Sequence, residues 1–370
     1  MPISADLPVT PPLEPMLAKA QATVPAEAGV WSYEPKWDGF RALVFRDGDE
    51  VALQSRSGKD LGRYFPEVIE SVRDELVPRC VLDGEIVVPR EIAGRTRLDW
   101  ESLSQRIHPA QSRVRLLAAQ TPAHFIGFDA LAIDDESLLK EPFRVRRQAL
   151  IAAVNHKHAD RTQWCHVTRT TEDPELGARW LEEFEGAGLD GVIAKRLDGR
   201  YLPGKREMVK VKHARDADCV AMGYRIHKSG DGVGSILLGL YRDDGQLQMV
   251  GGAASFTAKA RLSLLADLGP LRIGDDVREG EPSRWNSAAD KRWIPVRPEK
   301  VCEVAYDQME GNTSGTGSDA QHGRRFRHAV KFLRWRPDRD PASCTFAQLE
   351  VPLTYDLYDV LEPAVTVGRS

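Results

Sequence analysis

The stretch YEPKWDGFR, residues 33–41, is the part of the chain from which its fold and chemistry are inferred. Its centre is Lys36, which is followed by an Asp-Gly pair. A Lys-x-Asp-Gly tetrapeptide alone occurs by chance in roughly one chain in ten of this length. Taken alone, it is equally consistent with a surface lysine before a turn. The segments that follow decide between a turn and a reactive lysine.

A lysine amine attacks the α-phosphate of a nucleotide only when it is unprotonated. Free lysine has a pKa of about 10.4, so neighbouring cations or partial burial must lower that pKa. A bound Mg²⁺ would do this and would also neutralise phosphate oxygens. A nucleophilic Lys36 therefore requires carboxylates that hold a metal, and further Lys or Arg side chains near the phosphates.

Carboxylates follow on two segments with a strand pattern. Asp83 and Glu85 lie two residues apart in CVLDGEIVV. Because side chains alternate along a strand, both carboxylates are predicted to face the same side. An Asp-Gly hairpin turn with an exposed glutamate is the alternative, although it leaves only a very short strand before the turn. Asp190 repeats the arrangement in GLDGVIAK, with Lys195 at the end of the strand.

Cationic and aromatic candidates lie on further predicted strands. In MVKVK, alternation puts Lys210 and Lys212 on one face and two valines on the other. A solvated sheet face is the alternative for this pair. Arg56, in SRSG, ends a strand and could reach a ribose or a phosphate. Phe128, in FIGFD, could stack on a base, with a core position as the alternative.

The composition is typical of a soluble protein with more than one domain. The chain has 370 residues, of which 42% are hydrophobic and 29% charged, and its net charge is −4. This length favours two domains. The charge neither supports nor excludes nucleic acid, because a binder of this composition must gather its positive charge on one surface.

Cysteine usage and the N-terminus indicate a cellular location. The five cysteines include no Cys-x-x-Cys pair, which predicts reduced thiols and no structural zinc. The N-terminus has no basic region followed by an apolar run, and no stretch approaches the roughly 20 apolar residues of a membrane span. A cytoplasmic protein without membrane contact is expected.

Residues 1–213 are predicted to form one domain. Strand-like segments alternate with helices over 66–77, 143–154 and 174–184, and an Asp-Gly turn joins two early strands into a hairpin. This mixture predicts an α+β domain of antiparallel sheets and helices.

The pattern changes near the end of that domain. Residues 214–350 contain short strands separated by Gly- and Asp-rich turns, with one helix over 257–268. These elements fit a small β-barrel of the OB type, with a sandwich as the alternative. Residues 351–370 are predicted to be a C-terminal tail.

In their order along the chain, these segments resemble the successive motifs of the covalent nucleotidyltransferase superfamily. The matching segments are KWDGFR, SRSGKDLG, LDGEIVV, FIGFD, DGVIAKR and MVKVK. The superfamily contains ATP- and NAD-dependent DNA ligases, RNA ligases and mRNA capping enzymes. The resemblance is strongest to small bacterial ATP-dependent DNA ligases, namely the stand-alone C class and the ligase module of end-joining ligases. It implies an adenylation (nucleotidyltransferase) domain followed by an OB-fold domain.

The resemblance also implies roles at the nucleotide. Lys36 would form a covalent lysyl-AMP, and Glu34 would meet the adenine amino group. Phe128 would stack on adenine. Arg41 and Arg56 would contact the ribose and the phosphate of a DNA nick.

Phosphate and metal positions follow in the same way. Lys210 and Lys212 would hold the α-phosphate and act in catalysis, with Lys195 as a further nucleotide-binding residue. The implied metal ligands are Glu85, which could instead bind the ribose, Asp190 and Asp83. Asp190 departs from the family, which usually has Glu there; the shorter carboxylate could bind metal through water.

The last family motif lies in the OB domain and contacts the leaving pyrophosphate. Arg336, Asp338 and Arg339 resemble its Arg-x-Asp-Lys pattern, with Arg in place of the final Lys. A basic strand end that touches DNA phosphate is the alternative.

The implied cofactors are ATP and Mg²⁺ or Mn²⁺. The implied partner is nicked double-stranded DNA, with DNA-repair proteins as further candidates, and a monomer is expected. Two rivals remain: an RNA ligase or GTP-using capping enzyme, and a nick-binding module without catalysis. The second rival requires a broken motif, whereas the departures at Asp190 and Arg339 conserve charge.

Overall fold

The chain divides into two compact units. The computed structural model describes residues 6–92, 94–154, 163–184, 188–212, 215–274, 277–279, 292–311, 321–349 and 356–361. Unit 1 comprises Met1–His213 with Val351–Ser370, and unit 2 comprises Ala214–Glu350. Within the described ranges, no helix is both long and apolar enough to cross a membrane.

Two sheets form the framework of unit 1. The first has the order β1 (Leu17–Gln21), β12 (Arg206–Lys212), β11 (Gly191–Arg196) and β2 (Trp31–Pro35). The second has the order β10 (Cys165–Val167), β8 (His124–Ile133), β5 (Arg79–Val87), β3 (Phe40–Asp47) and β4 (Glu50–Ser55), with β9 (Glu136–Ser137) paired to β8. A separate hairpin consists of β6 (Pro89–Ile92) and β7 (Arg95–Leu98).

The sheets are mainly antiparallel, which confirms the predicted class. Two edge pairs are parallel, however: β1 with β12, and β10 with β8. Neither β1 nor β10 was predicted from the sequence. Both are short edge strands, and their conformation is fixed by hydrogen bonds to a partner that is distant in sequence rather than by their own side-chain pattern.

Five helices lie among the described residues of unit 1: α1 (Pro66–Glu75), α2 (Trp100–Gln105), α3 (Gln111–Gln120), α4 (Phe143–Val154) and α5 (Pro174–Glu183). The predicted helices correspond to α1, α4 and α5. Proline occupies the first turn of α1 and α5, and Asp173 caps α5 by accepting from the Glu175 amide. The sequence did not predict α2 and α3, which bury only one and two residues each.

The second sheet is covered on both faces. One face packs with helices α1 and α4 in a cluster that includes Val72, Leu82 and Leu150. The other face shares clusters with the first sheet, through contacts such as Phe45 with Met208. A strand that is covered on both sides loses its alternating pattern, and β8 is therefore an almost continuous buried run.

The described part of the C-terminal tail packs on unit 1. Leu357–Val360 is a 3-10 helix, and Leu357 and Val360 are buried in the cluster that contains Trp37. The Thr96 amide donates to Asp356 Oδ2 at 2.8 Å, which fixes the segment beside β7. This segment is therefore a structural part of unit 1.

Leu357→Ala is expected to destabilise unit 1 by about 2–4 kcal/mol, because it leaves a cavity where the leucine is 3% exposed. Urea unfolding of the full chain measures this loss. Leu116→Ala, at a leucine that is 45% exposed, should change the free energy of unfolding by less than about 0.5 kcal/mol. Equal effects of the two substitutions would contradict the packing of the C-terminal segment.

The described residues of unit 2 form a seven-stranded antiparallel sheet, a separate two-stranded sheet and one α-helix, which confirms the predicted OB-type class. Its elements are β13 (Arg215–Ile226), β14 (Val233–Tyr241), β15 (Leu247–Ala253), α6 (Ala258–Leu268), β16 (Arg278–Glu279), β17 (Arg292–Pro295), β18 (Val301–Tyr306), β19 (Met309–Glu310), β20 (Arg325–Phe326) and β21 (Lys331–Trp335). The long strand β13 pairs with β14 on one side and with β17 and β18 on the other. Thr257 caps α6 by accepting from the Ala260 amide.

Candidate active site

A cavity in unit 1 gathers most of the predicted site residues. It is lined by Leu17, Ala18, Glu34, Pro35, Lys36, Trp37, Arg41, Arg56, Glu85, Phe128, Ile193, Arg206, Met208 and Lys210. These residues come from both sheets of the unit. The lining combines four arginine or lysine groups beside Lys36 with two carboxylates and the two aromatic residues Trp37 and Phe128.

Lys36 follows the end of β2 and is fixed by its backbone to the start of β11. Its amide donates to Gly191 O at 2.8 Å, and its carbonyl accepts from the Asp190 amide at 2.9 Å. The next residue, Trp37, is buried and donates from Nε1 to Thr168 Oγ1 at 2.7 Å. The backbone that carries the lysine is therefore held on both sides.

Asp190 bridges two lysine side chains. Its Oδ2 lies 2.6 Å from Lys36 Nζ and 3.1 Å from Lys212 Nζ. Burial acts to raise the pKa of Asp190, but the two ammonium groups lower it below its ordinary value. A carboxylate in this position keeps Lys36 at the mouth of the cavity. The sequence had offered Asp190 as a carboxylate near Lys36 for holding a metal, not as a partner of two lysines.

Lys210 and Lys212 lie on one face of β12 as predicted, with Val209 and Val211 buried on the other. Lys210 lines the cavity, whereas Lys212 pairs with Asp190. Partial burial, together with the nearby cations, lowers the pKa of Lys210.

Glu34 lines the cavity and is 3% exposed. Its Oε1 pairs with Lys195 Nζ at 2.8 Å, while Oε2 has no hydrogen-bond partner. Burial raises the pKa of Glu34, and the Lys195 ammonium opposes that effect. An unsatisfied buried oxygen that lines a cavity is suited to accept a hydrogen bond from a ligand.

Lys195 does not line this cavity, contrary to the expectation that it binds the nucleotide directly. It is 3% exposed, and its Nζ donates to Phe128 O at 2.7 Å in addition to pairing with Glu34. Its ammonium also lies 4.8 Å from the centroid of the Phe128 ring. Lys195 therefore holds two residues that line the cavity. The GLDGVIAK segment alone could not show this, because the Phe128 carbonyl lies on the other sheet.

Glu85 lines the cavity, as predicted. Its Oε1 accepts from the Gly39 amide at 3.2 Å. Burial raises the pKa of Glu85 to about 7, and Arg41 and Lys36 partly offset this rise. This carboxyl is consequently poised to lose its proton near neutral pH when a cation arrives.

Asp83 lies on the same face of β5 as Glu85, as alternation predicts, but unlike Glu85 it does not line the cavity. It is fully buried, and Arg41 donates to it from Nε and from Nη2, each at 2.6 Å. The register of β5 with β8 shifts between Asp83 and Gly84 because β8 carries one extra residue there, Phe128, while β5 itself stays regular. Among the described residues, no three His, Cys, Asp or Glu side chains converge on a metal position.

Arg41 and Arg56 both line the cavity. The Arg41 guanidinium lies 4.6 Å from the centroid of the Phe128 ring, so the two side chains form one stacked wall. The cavity also contains residues that sequence reasoning missed, namely Leu17 and Ala18 on β1 and Arg206. Leu17 and Ala18 were missed because the strand β1 was not predicted.

Arg336 lies in unit 2, at the end of β21. It pairs with Asp218 at 3.1 Å and with Asp338 at 2.8 Å, and Arg339 reaches Asp218 at 3.4 Å. Hydrogen bonding to Asp338 and the nearby acids raise the pKa of Arg336, so it remains a cation. Asp218 had not been singled out in the sequence.

Comparison with known proteins identifies the family. Residues 15–212 match the family described as "ATP dependent DNA ligase domain", and residues 229–339 match "ATP dependent DNA ligase C terminal region". The chain belongs to the ATP-dependent DNA ligases. This ligase is 79% identical over 357 residues to "DNA ligase C1" of Mycolicibacterium smegmatis, covering 96% of this chain and 99% of the relative.

More distant similarities support the same family. This ligase is 33% identical over 307 residues to "Multifunctional non-homologous end joining DNA repair protein LigD" of Mycobacterium tuberculosis, covering 80% of this chain and 36% of that protein. It also shares a fold with a solved structure described as "DNA binding with a minimal scaffold: Structure-function analysis of Lig E DNA ligases". That likeness has a TM-score of 0.52 at 16% identity and covers 87% of this chain and 99% of the other.

The raised pKa of Glu85 makes a prediction about stability and pH. The folded pKa of about 7 lies above the unfolded value, so the folded ligase binds more protons between these two values. The contribution of Glu85 to stability therefore falls as pH rises toward 7. Relative to the wild type, Glu85→Gln should gain about 2 kcal/mol in free energy of unfolding between pH 5.5 and 8.5.

Urea titrations across this pH range measure the difference. Glu136→Gln is the matched control, since Glu136 is exposed on β9 and lies outside the cavity. A pH-independent difference between Glu85→Gln and the wild type would show that the carboxyl ionises normally in the folded ligase.

Proposed function

We propose that the cavity of unit 1 binds ATP and that Lys36 takes its AMP as a covalent lysyl-AMP. The observation that carries this proposal is that Lys36 lines one cavity together with Glu34, Lys210 and Arg56. These groups match the two ends of a nucleotide, a base that donates hydrogen bonds and a phosphate chain that carries negative charge.

At the base end, Glu34 would accept from the exocyclic amine of adenine. Its Oε2 is buried without a partner, and Oε1 is held by Lys195. Guanine would present a carbonyl oxygen there, which a carboxylate repels. Phe128 would stack on the base, with Arg41 on the adjacent wall.

At the phosphate end, Lys36, Lys210 and Arg56 would neutralise the α-phosphate, with Lys212 joined through Asp190. The new bond forms between Lys36 Nζ and the α-phosphorus, and the bond to the pyrophosphate oxygen breaks. Positioning and neutralisation of charge supply most of the catalysis in phosphoryl transfer. The lysine must lose a proton before attack, and until then Asp190 Oδ2 pairs with its Nζ at 2.6 Å.

Glu85 and Asp190 are the residues that would hold a divalent metal. Their oxygen donors suit Mg²⁺ or Mn²⁺, and Mg²⁺ is commonly bound by one or two carboxylates together with substrate phosphates. The raised pKa of Glu85 marks a carboxylate that lacks a full counter-charge in the cavity. When bound, the metal would neutralise phosphate oxygens. Asp83 is left out, because Arg41 already occupies both of its oxygens.

The substrate is proposed to be nicked double-stranded DNA. AMP would pass from Lys36 to the 5′-phosphate at the nick, and the 3′-hydroxyl would then displace AMP. Residues 1–213 would act as the adenylation domain and residues 214–350 as the OB-fold domain. Arg336, held by Asp218 and Asp338, would meet the leaving pyrophosphate. We propose a cytoplasmic monomer that serves DNA repair with other repair proteins.

Sealing of a singly nicked duplex tests the proposal. ATP with Mg²⁺ or Mn²⁺ should give ligated product, whereas GTP and NAD should give little. A matched duplex with a ribonucleotide nick separates DNA from RNA sealing. Efficient use of GTP, or preference for an RNA duplex, would favour the other branches of the superfamily. Nick binding without adenylation would favour a recognition module.

A further inference from the structure

Tyr201 is a buried residue that none of the motifs includes. It lies between β11 and β12 and is 2% exposed. Its hydroxyl donates to Asp83 Oδ2 at 2.7 Å and accepts from the Met16 amide at 2.9 Å. Both hydrogen-bonding directions of the hydroxyl are therefore used inside the protein.

The partners of Tyr201 lead directly to the cavity wall. Asp83 holds Arg41 through two hydrogen bonds of 2.6 Å each, and Arg41 Nη2 also donates to Met16 O at 3.2 Å. The peptide groups of Met16 are thus fixed on one side by Tyr201 and on the other by Arg41. The following residues, Leu17 and Ala18, line the cavity.

We propose that Tyr201 is a positioning residue that fixes Arg41 through Asp83, and with it the Arg41–Phe128 wall and the β1 edge of the nucleotide cavity. The inference rests on the proposed function, since it concerns the same cavity. Tyr201 itself does not line the cavity, so it acts through the residues that do.

The physical argument concerns what orients Asp83. A bidentate arginine–carboxylate pair is rigid within itself, but the pair can rotate together unless a third group holds the carboxylate. Tyr201 is that third group, and it anchors the pair to the backbone at Met16. Burial and the nearby Asp83 raise the pKa of Tyr201 well above its ordinary value, so the hydroxyl keeps its proton across the working pH range.

Tyr201→Phe removes the hydroxyl and keeps the ring. It should raise the KM for ATP in ligase–AMP formation by about tenfold, as expected for losing a hydrogen bond to a charged group that positions a binding wall. The maximal adenylation rate should change by less than about threefold, because Lys36 and its backbone contacts are unaffected. Tyr33→Phe is the matched control: this buried tyrosine donates to Pro25 O, outside the Asp83 chain.

A double-mutant cycle separates positioning from general stability. If Tyr201 acts through Arg41, then Tyr201→Phe should raise the KM by less than twofold when Arg41→Met is already present. A multiplicative effect, or an unchanged KM for Tyr201→Phe alone, would overturn the inference. A role in stability alone would lower the melting temperature and leave the KM unchanged.

Two further measurements keep the outcomes distinct. If Tyr201→Phe does not fold, Asp83→Asn is assayed instead. This substitution weakens the ion pair with Arg41 and should give the same rise in KM. An unchanged KM for this variant would equally contradict the inference. Failure of the wild type to form ligase–AMP with ATP would count against the proposed function instead, before any variant is compared.

Discussion

Lys36→Ala should abolish formation of ligase–AMP, by at least about a thousandfold, because no other amine can replace a nucleophile in line with the α-phosphate. Lys36 Nζ lies at the cavity, and its backbone is fixed by hydrogen bonds to Asp190 and Gly191. Incubation with α-labelled ATP, followed by denaturing gel electrophoresis, measures covalent label on the protein. Retention of label on the variant would refute the assignment of the nucleophile.

The step affected can be isolated by supplying DNA that already carries AMP at its 5′-phosphate. This substrate bypasses attack by Lys36, so Lys36→Ala should lose far less activity in the final step than in the first. Lys140→Ala is the matched control, since Lys140 is an exposed lysine of unit 1 that does not line the cavity. Equal losses in both steps would indicate that Lys36 supports the cavity rather than forming the adduct.

Lys195→Met should have the second large effect, on stability and on nucleotide choice together. Removal of the ammonium leaves Glu34 buried without its counter-charge, and breaking a buried pair in this way costs about 3–5 kcal/mol. Protonation of Glu34 would relieve part of that cost, and Glu34 would then lose its charge toward the base. The preference for ATP over GTP in ligase–AMP formation should therefore fall by about tenfold or more.

Two companion variants make this prediction specific. Adding Glu34→Gln to Lys195→Met removes the uncompensated charge, so the double variant should recover most of the lost stability while nucleotide selectivity stays low. Arg196→Met is the control on the same strand, because the pair of Arg196 with Asp198 is exposed and screened by solvent, so its loss should leave stability and nucleotide choice nearly unchanged. Unaltered ATP preference in Lys195→Met would show that Glu34 does not select the base.

The chemistry of this ligase was readable from local sequence because it depends on residue type and order. KWDGFR, LDGEIVV and MVKVK identified Lys36, Glu85 and Lys210, and the structure places all three at one cavity. Alternation also gave the correct faces of β12, since that strand is regular. The same rule gave the correct face for Asp83 but could not show that Arg41, on the neighbouring strand, binds this carboxylate inside the protein.

Long-range contacts were beyond the reach of sequence patterns. The edge strand β1 has little alternation of its own, and only its pairing with β12 makes it part of the sheet. The sequence of the tail likewise did not predict that it packs on unit 1, although Leu357 and Val360 lie in one buried cluster with Trp37. Each of these features depends on a partner more than a hundred residues away.

The sequence by itself determined the class of fold and singled out the proposed nucleophile Lys36 and most of the charged groups that line the cavity, since these follow from periodicity, motif order and the chemistry of each side chain. Only the tertiary structure decided which charged side chains face the cavity and which form ion pairs inside the protein. Lys36 and Glu85 lie at the cavity, whereas Lys195 and Asp83 are buried against Glu34 and Arg41. The physical reason is that a buried charge requires a nearby opposite charge, and the fold alone determines where that partner lies.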